Sequence, residues 1–584
     1  MLRTFTFIFC VIAFISSSNA QTLAFPGAEG HGRFTTGGRG GSVVRVTNLE
    51  DNAVGEPVIN GSLRWALQQA SPKTIIFDVS GTIQLKQAMK TEKKDDITIA
   101  GQTAPGNGIC IAGNSFGINS KNIIIRFVRF RPGDIMENGE SNGEPDGLGG
   151  MDSKDVIIDH CSVSWSVDEC LSVYGTENLT VQWCIASEAL RVSNHGKGTH
   201  CYGGNWGGNK ASYHHNLIAH CESRTPRLGP RPSTQENEYV DIRNNVFYNW
   251  AGNGCYGGEG MKVNMINNYY KPGPATAQAS AIVKYRIAGI GVRTASYVAT
   301  YPAFAPMKHV WGKYYIDGNK IQGNTEVTND NWTKGVYAQT TNGSGVDYLW
   351  TETTKDTIRL REPLDPGKVT THTADKAFEK VLAYVGCSLN RDEVDTRIVS
   401  DTRNGTASFS VSGNKPGYIN SPSNTKPTGA PSDWTPWLPS VQVEIPLDTD
   451  RDGIPDEWEK ANGLNAYNAG DAKKLNEEGY TYLEVYLNSL VEDIIKAQNE
   501  DSIDDPNSIF NPKAKNTISA YTENNTLYLY NLSDCSIQIY SINGKLITTV
   551  NVNGDETSIP LSSGIYVVRV ISNDKVESLK VIMP

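Results

Sequence analysis

A short, strand-sized pattern recurs along the middle of this chain, and it restricts the fold more than any other feature. The runs Val156–Ile158, Leu179–Gln182 and Ser212–His215 are each half apolar and each end in a polar turn. Laid over one another, they put Asp159-His160-Cys161, Gln182-Trp183-Cys184 and His214-His215-Asn216 in register, at offsets of 23 and 32 residues. The pattern continues at Arg243-Asn244-Asn245, 29 residues on, and at Ile266-Asn267-Asn268, 23 further; backwards it reaches Arg126-Phe127-Val128, 33 before Cys161. One strand per repeat of roughly 20–35 residues, with little helical signal, is a unit that cannot bury its apolar face alone and has to stack on its neighbours. The variable offset means that strands align while the turns between them take insertions. The expected fold is all-β: a right-handed parallel β-helix. Asn216, Asn245 and Asn268 share one register. Stacked Asn side chains can satisfy buried amides from coil to coil; the alternative is that they occupy surface turns, where Asn is common.

The flanks divide the chain. Residues 1–20 combine an early Arg, an apolar run and a Ser-Asn-Ala end, which reads as a signal peptide cut after Ala20 and an exported product. No later stretch is long and apolar enough to span a bilayer. The β-helix is expected over 21–410. Gly61–Gln69 reads as a short helix, with Leu63, Ala66 and Leu67 on one side, able to cap the open end of the solenoid. A second helix is expected over Ala374–Val385. Residues 405–446 are rich in Gly, Pro, Ser, Asn and Thr, and read as a linker (411–446) or as a strand packed along the flank. Residues 447–496 read as a calcium loop followed by a helical segment over Ala466–Leu490, and 497–516 as a second linker. In 517–584, short alternating strands with turns at Asn543-Gly544 and Asn553-Gly554 give a small C-terminal β-sandwich. A net charge of −10 disfavours nucleic-acid binding. Nine cysteines remain after the signal, an odd number at irregular spacing, so they are no disulfide scaffold, although one or two bridges fit an exported protein.

Two kinds of charged cluster suggest chemistry. The polar loop after Asn122–Phe130 carries Asp134, Glu137, Glu140, Glu144 and Asp146, and the next coil adds Asp168 and Glu169 at its turn. Carboxylates on adjacent turns suit calcium, which takes 6–8 oxygens in irregular geometry. Arg224, Arg227 and Arg231 follow, and Arg is the residue for gripping carboxylates in a fork. One face could thus hold an anionic polymer; a structural salt bridge to the acidic turns is the competing reading of the arginines. The second cluster is DTDRDGIPDEWE: Asp448, Asp450, Asp452, Asp456 and Glu459 fall at loop positions 1, 3, 5, 9 and 12, Gly453 at 6, and Ile454 at the backbone-carbonyl position 7. Pro446 argues against an ordinary entering helix. A solvated acidic turn is the alternative.

The runs VIIDHCSVSWSVDE, LTVQW and YHHNLIAHCESRTPR, with GGRGG, VVRVTNL, GSLRWAL and IIFDVSGTI before them, resemble polysaccharide lyase family 1, the pectate lyases. The likeness covers roughly residues 24–320 and continues more weakly to about 410. It implies a parallel β-helix and calcium-dependent β-elimination of α-1,4-linked polygalacturonate. By residue, it implies calcium on Glu144, Asp146 and Asp168, and Arg224 of the R-x-P motif as base. A fourth ligand position, usually Asp, is Ser172, and Glu169 could compensate. A second substrate-binding Arg position is Gly229, which leaves Arg227 or Arg231 for that role, and Lys197 is the nearest match to a substrate-binding Lys. Asp159 and His160 match a pair that lies mainly beneath the groove. An unprotonated Arg base, aided by calcium and Arg227 as neighbouring cations, implies an alkaline optimum. The loop at 448–459 resembles thrombospondin type 3-like calcium loops, and the C-terminal segment resembles sorting domains of type IX secretion, with a carbohydrate-binding module as the alternative. The implied partners are a pectin chain and the secretion machinery, for a monomer. Two other readings stay open: a β-helix glycoside hydrolase using Asp159 and Asp168, and a non-catalytic pectin-binding protein, prompted by Ser172 and Gly229.

Overall fold

The computed structural model describes residues 21–134, 146–193, 195–339, 350–503 and most of 519–583. The signal peptide and Glu137, Glu140 and Glu144 lie outside the described residues. The chain forms two compact units, divided between Ser502 and Ile503.

The first unit is a parallel β-helix. One face is a ten-stranded sheet in chain order, from Ser42–Val46 to Lys313–Asp317. A second face has nine strands, from Gly81–Gln84 to Lys320–Ile321. The third is split into four strands (Met89–Lys90 to Leu171–Tyr174) and five (Asn205–Trp206 to Val336–Ala338). Register follows the repeat in the sequence: Arg126, Asp159, Gln182, His214, Arg243 and Ile266 are paired one to the next. Apolar residues such as Ile158, Val181, Tyr213, Ile242 and Met265 fill the bore.

Each coil turns a corner one residue before the ladder position. Phe127, His160, Trp183, His215, Asn244 and Asn267 all have φ between 51° and 56°. That left-handed conformation costs a non-glycine residue about 1 kcal/mol, and stacking offsets it. Ring centroids of Phe127 and His160 are 4.7 Å apart, His160 and Trp183 6.1 Å, and Trp183 and His215 4.3 Å. The next residue builds the asparagine ladder. Asn216 N–H and Nδ2 both donate to Asn245 Oδ1 (2.9 and 3.0 Å), Asn245 does the same to Asn268, and Asn268 to Asn319. Asn331 ends the ladder on one side, accepting from Asn319, and Cys184 N–H, donating to Asn216 Oδ1, begins it on the other. All nine described cysteines are buried and unbridged, so the bridges the composition allowed are not formed.

Outside the coils, Leu63–Gln68 is a helix with Leu63, Ala66 and Leu67 buried and Ser62 Oγ accepting from Trp65 N–H. The helix Ala374–Tyr384 packs Ala374, Val381 and Leu382 against Leu217 and Val246 of the nine-stranded face and against Trp183 at the corner beside it. A further helix, Glu393–Asn404, follows it, and Asp392 and Asp395 at its start hold the buried Arg131. Residues 405–446 contain no strand, yet they lie along the flank: Tyr418 and Ile419 are buried, and Tyr418 Oη donates to Asn249 O at 2.9 Å. The helix expected over 466–490 is confined to Tyr482–Ser489, preceded by a 3-10 turn at Asp471–Lys473. Gly479, at φ 85° between them, interrupts it.

The second unit has two antiparallel sheets, of three and four strands, that share one core. Leu527, Leu529 and Ile559 come from one sheet and Ile537, Ile539, Val568 and Val570 from the other.

Candidate active site

The charged residues gather where the third face begins. Asp146 precedes the strand Leu148–Met151, and Asp168 and Glu169 precede Leu171–Tyr174, one coil on. The backbone holds these turns close: Gly147 N–H donates to Glu169 O at 3.0 Å. A Cβ on Gly147 would lie 2.3 Å from Val163 Cγ1, so a side chain there would force the coils apart. Isolated parallel pairings then align Glu169 with Tyr202 and Tyr202 with Ser223. Acids, Tyr202 and Arg224 therefore stand on successive coils.

Carboxylate oxygens of Asp146, Asp168 and Glu169 lie within 4.8 Å of one another. Asp146 Oδ1 accepts from Glu169 N–H at 3.2 Å, and Asp168 Oδ1 is buried with no hydrogen-bond partner among the described residues. Arg224, with φ 53°, turns its guanidinium over the Tyr202 ring, 4.1 Å from the centroid. Its Nη1 is 3.8 Å from Asp168 Oδ1 and pairs with Glu169 Oε1. Burial, with Tyr256 and Asp168 nearby, raises the Tyr202 phenol above its ordinary range.

Two further residues stand here that the sequence motifs do not single out, His195 and His200. Their Nε2 atoms lie 3.6 and 3.9 Å from Asp168, with ring centroids 3.3 Å apart. His200 Nδ1 is 2.7 Å from Gly198 O, which assigns its proton to Nδ1 and turns the Nε2 lone pair toward Asp168. A carboxylate and a lone pair facing one gap call for a cation between them. Both histidines flank Lys197 in HGKGTH, so the signal was present in the sequence. Lys197 itself is exposed, and its backbone N–H donates to His195 Nδ1 at 3.0 Å.

The other arginines are already matched. Arg227 Nη2 is 3.3 Å from Glu259, a second residue the sequence did not flag, and Arg293 is 3.7 Å from the same carboxylate. Burial works against the Arg227 charge, but Glu259 holds it protonated well above the usual guanidinium range. The expectation that Arg227 supplies an unbalanced cation beside Arg224 is therefore corrected. Arg231 makes a two-bond fork to Asp152, at 2.8 and 2.9 Å. Ser172 is buried and its Oγ accepts from Asn205 N–H at 2.9 Å, so its oxygen is spent on the next coil. A Cβ on Gly229 would lie 2.1 Å from Asn205 Oδ1, which explains glycine there. Asp159 is fully buried and bound to Arg126, His160 and Gln182. It cannot reach a substrate, and the hydrolase pair Asp159–Asp168 falls with it.

Away from this face, Asp448, Asp450 and Asp452 converge, and Asp452 and Glu459 converge with Asp471. Asp456 is not part of either group: its carboxylate accepts from Thr449 N–H (2.7 Å) and Oγ1–H (2.6 Å).

A probable pectate lyase C of Aspergillus flavus is 33% identical over 476 residues, covering 80% of this chain and 94% of that protein. The chain belongs to the pectate lyase family. A probable pectate lyase C of Aspergillus fumigatus is 32% identical over 492 residues, covering 82% of this chain and 96% of that one. Among solved structures, a pectate lyase bound to hexasaccharide overlays with a TM-score of 0.38 at 16% identity, covering 64% of this chain and 99% of the other. Residues 513–584 match the family model described as the secretion system C-terminal sorting domain, which makes this family member a secreted one.

Proposed function

We propose that this member of the pectate lyase family cleaves polygalacturonate by calcium-dependent β-elimination, with Arg224 as the base. The observation that carries the reading is Arg224 itself, held beside Asp168 and Glu169 in a cluster whose Asp168 Oδ1 is buried without a hydrogen bond. Hard carboxylate oxygens from Asp146, Asp168 and Glu169 fit calcium, with Glu144 as the further candidate from the loop. A bound calcium would supply Lewis-acid neutralisation of the uronate carboxylate. Arg224 takes the C5 proton; the C4–O4 bond breaks as the C4–C5 double bond forms, and the leaving oxygen is protonated from solvent. The enolate-like charge that develops makes any cation at the C6 carboxylate worth more in the transition state than in the ground state. Substrate has to draw Arg224 away from Glu169, because one guanidinium cannot serve both the ion pair and the base.

Lys197 and Arg231 are the further cations proposed for grip along the chain. Lys197 is exposed, and Arg231 can exchange its Asp152 fork for a substrate carboxylate. An alkaline optimum is expected, since arginine gives up its proton only there; a rate profile peaking below neutrality would contradict it. The test is appearance of the unsaturated uronide end on polygalacturonate, with calcium and then with chelator. Reducing ends without that chromophore would mean hydrolysis, and binding without either would mean a non-catalytic protein.

A further inference from the structure

Five carboxylates from residues 448–471 meet in a small volume: Asp448, Asp450 and Asp452 in one group, Asp452, Glu459 and Asp471 in the other, within 4.8 Å inside each. Asp452, Glu459 and Asp471 are buried, Glu459 completely. Neither oxygen of Glu459 has a hydrogen-bond partner among the described residues, and Asp448 Oδ1, Asp450 Oδ2, Asp452 Oδ2 and Asp471 Oδ1 are buried in the same condition. Arg45, from the first strand, pairs with Asp448 and is shared with Asp78. Such an excess of buried charge has to be neutralised, by protons or by a cation, and six buried oxygens without a hydrogen bond converging on one volume favour a cation.

What this cluster fastens is visible in the packing. Ile454, Ala472, Leu483 and Leu487 lie on Ile76 and Ala100, which point outward from the ten-stranded face. Gly453, at φ 95°, brings the loop within 3.2 Å of Val43 Cγ1 by its ideal Cβ position. Arg39 Nε reaches Glu484 at 2.8 Å on the same side. Residues 447–491 therefore cover an apolar stripe of the solenoid's first coils.

We infer that a calcium ion bound by Asp448, Asp450, Asp452, Glu459 and Asp471 clasps residues 447–491 onto the first coils of the β-helix. Asp471 stands twelve residues beyond Glu459, the last position of the loop motif, and so outside any loop-position count, whereas Asp456 is spent on Thr449. The inference does not depend on the lyase reading.

The experiment is calorimetric titration of the full secreted chain with calcium, paired with thermal melting with and without the ion. Asp471→Asn and Glu459→Gln should each weaken the tighter calcium affinity by about tenfold or more, as loss of a charged ligand does, and remove the calcium-induced rise in melting temperature. Asp456→Asn should change that affinity less than about threefold, since its position is no ligand. Asp168→Asn should keep the rise, which separates this site from the groove. Retention of the rise and the affinity in both Asp471→Asn and Glu459→Gln would overturn the clasp. If Asp471→Asn fails to fold, Asp456→Asn decides: an affinity loss as large as that of Glu459→Gln would return the site to the plain loop motif, in which position 9 is a ligand, and would overturn the inferred ligand set.

Discussion

Arg224 reaches Glu169 through Nη1 and Asp168 at 3.8 Å, so the residue proposed as base rests in an ion pair. Removing either partner has a different consequence. Arg224→Ala should cost about 10²–10⁴ in kcat at every calcium concentration, the range for loss of a positioned base. Glu169→Gln frees the guanidinium but removes a candidate ligand, so it should raise the calcium concentration for half-maximal rate by about tenfold and leave a measurable kcat at saturation. Steady-state rates on polygalacturonate across a calcium series separate the two; equal calcium curves for Glu169→Gln and the parent would remove Glu169 from the metal site. Ser172 and Gly229, where the family pattern is broken, need no compensating side chain in the fold. One is a hydrogen-bond acceptor for Asn205 N–H and the other makes room for the Asn205 side chain.

The ladder of Asn216, Asn245, Asn268 and Asn319 works as one element, since each amide serves the coil before it and is served by the coil after. Asn245→Ala would leave both Asn216 N–H and Asn216 Nδ2 without the Asn245 acceptor. The expected loss is roughly 2–6 kcal/mol, at 1–3 kcal/mol for each buried group left unsatisfied. Asp356→Ala, which breaks an exposed pair with Arg361, should cost less than about 1 kcal/mol. Denaturant midpoints for the two variants test the contrast, and similar midpoints would contradict the ladder's role. Asn216, Asn245 and Asn268 were legible in the sequence because each falls at one register after an apolar strand run, whereas Asn319, 51 residues past Asn268, lay outside the repeat spacing. The helix Glu393–Asn404 was not: Ile398 and Val399 are its buried apolar residues, and its hold on the solenoid comes from charges, Arg131 with Asp392 and Asp395, that no periodicity reports. Arg224, Asp146 and Asp168 were legible from motif positions. Glu259 was not, because it joins the site only through coil stacking; His195 and His200 carried a signal in HGKGTH, but their approach to Asp168 appears only once the coils stack. Asp471 escaped for a similar reason: it enters the acidic cluster from a separate 3-10 turn beyond the loop.

For the molecule as a whole, the buried histidines against the ten-stranded face set the response to acid. Burial lowers His214 to about 3 and His372 to about 4, and His215 moves the same way. The unfolded chain takes up these protons near pH 6.5 and the folded chain does not, so stability is full above that value and falls as pH drops from 6.5 toward 4. Each histidine contributes about 1.4 kcal/mol per pH unit in that window. Glu29, pushed up by burial to about 7, opposes them between 4.5 and 7, because the folded chain keeps a proton that the unfolded chain has lost. In the calcium-free chain Asp452, raised to about 6, and Glu459, raised to about 7, would oppose them too, so the comparison belongs to the calcium-saturated chain, where His31, His214, His215 and His372 outweigh Glu29 and Glu238; the denaturation midpoint there should be lower at pH 5 than at pH 6.5, and an unchanged or higher midpoint would contradict this. The separate core of the second unit leads to another expectation: a chain ending at Ser502 should keep the melting temperature of the first unit and its activity. A large fall in either would show that the sorting domain supports the solenoid. The account as a whole turns on the reaction, and the most direct measurement is ultraviolet absorbance of the unsaturated uronide as the protein meets polygalacturonate. A rise with calcium that chelator abolishes and that Arg224→Ala does not show is the expected result. A rise that persists in Arg224→Ala, or reducing ends released without the chromophore, would contradict it.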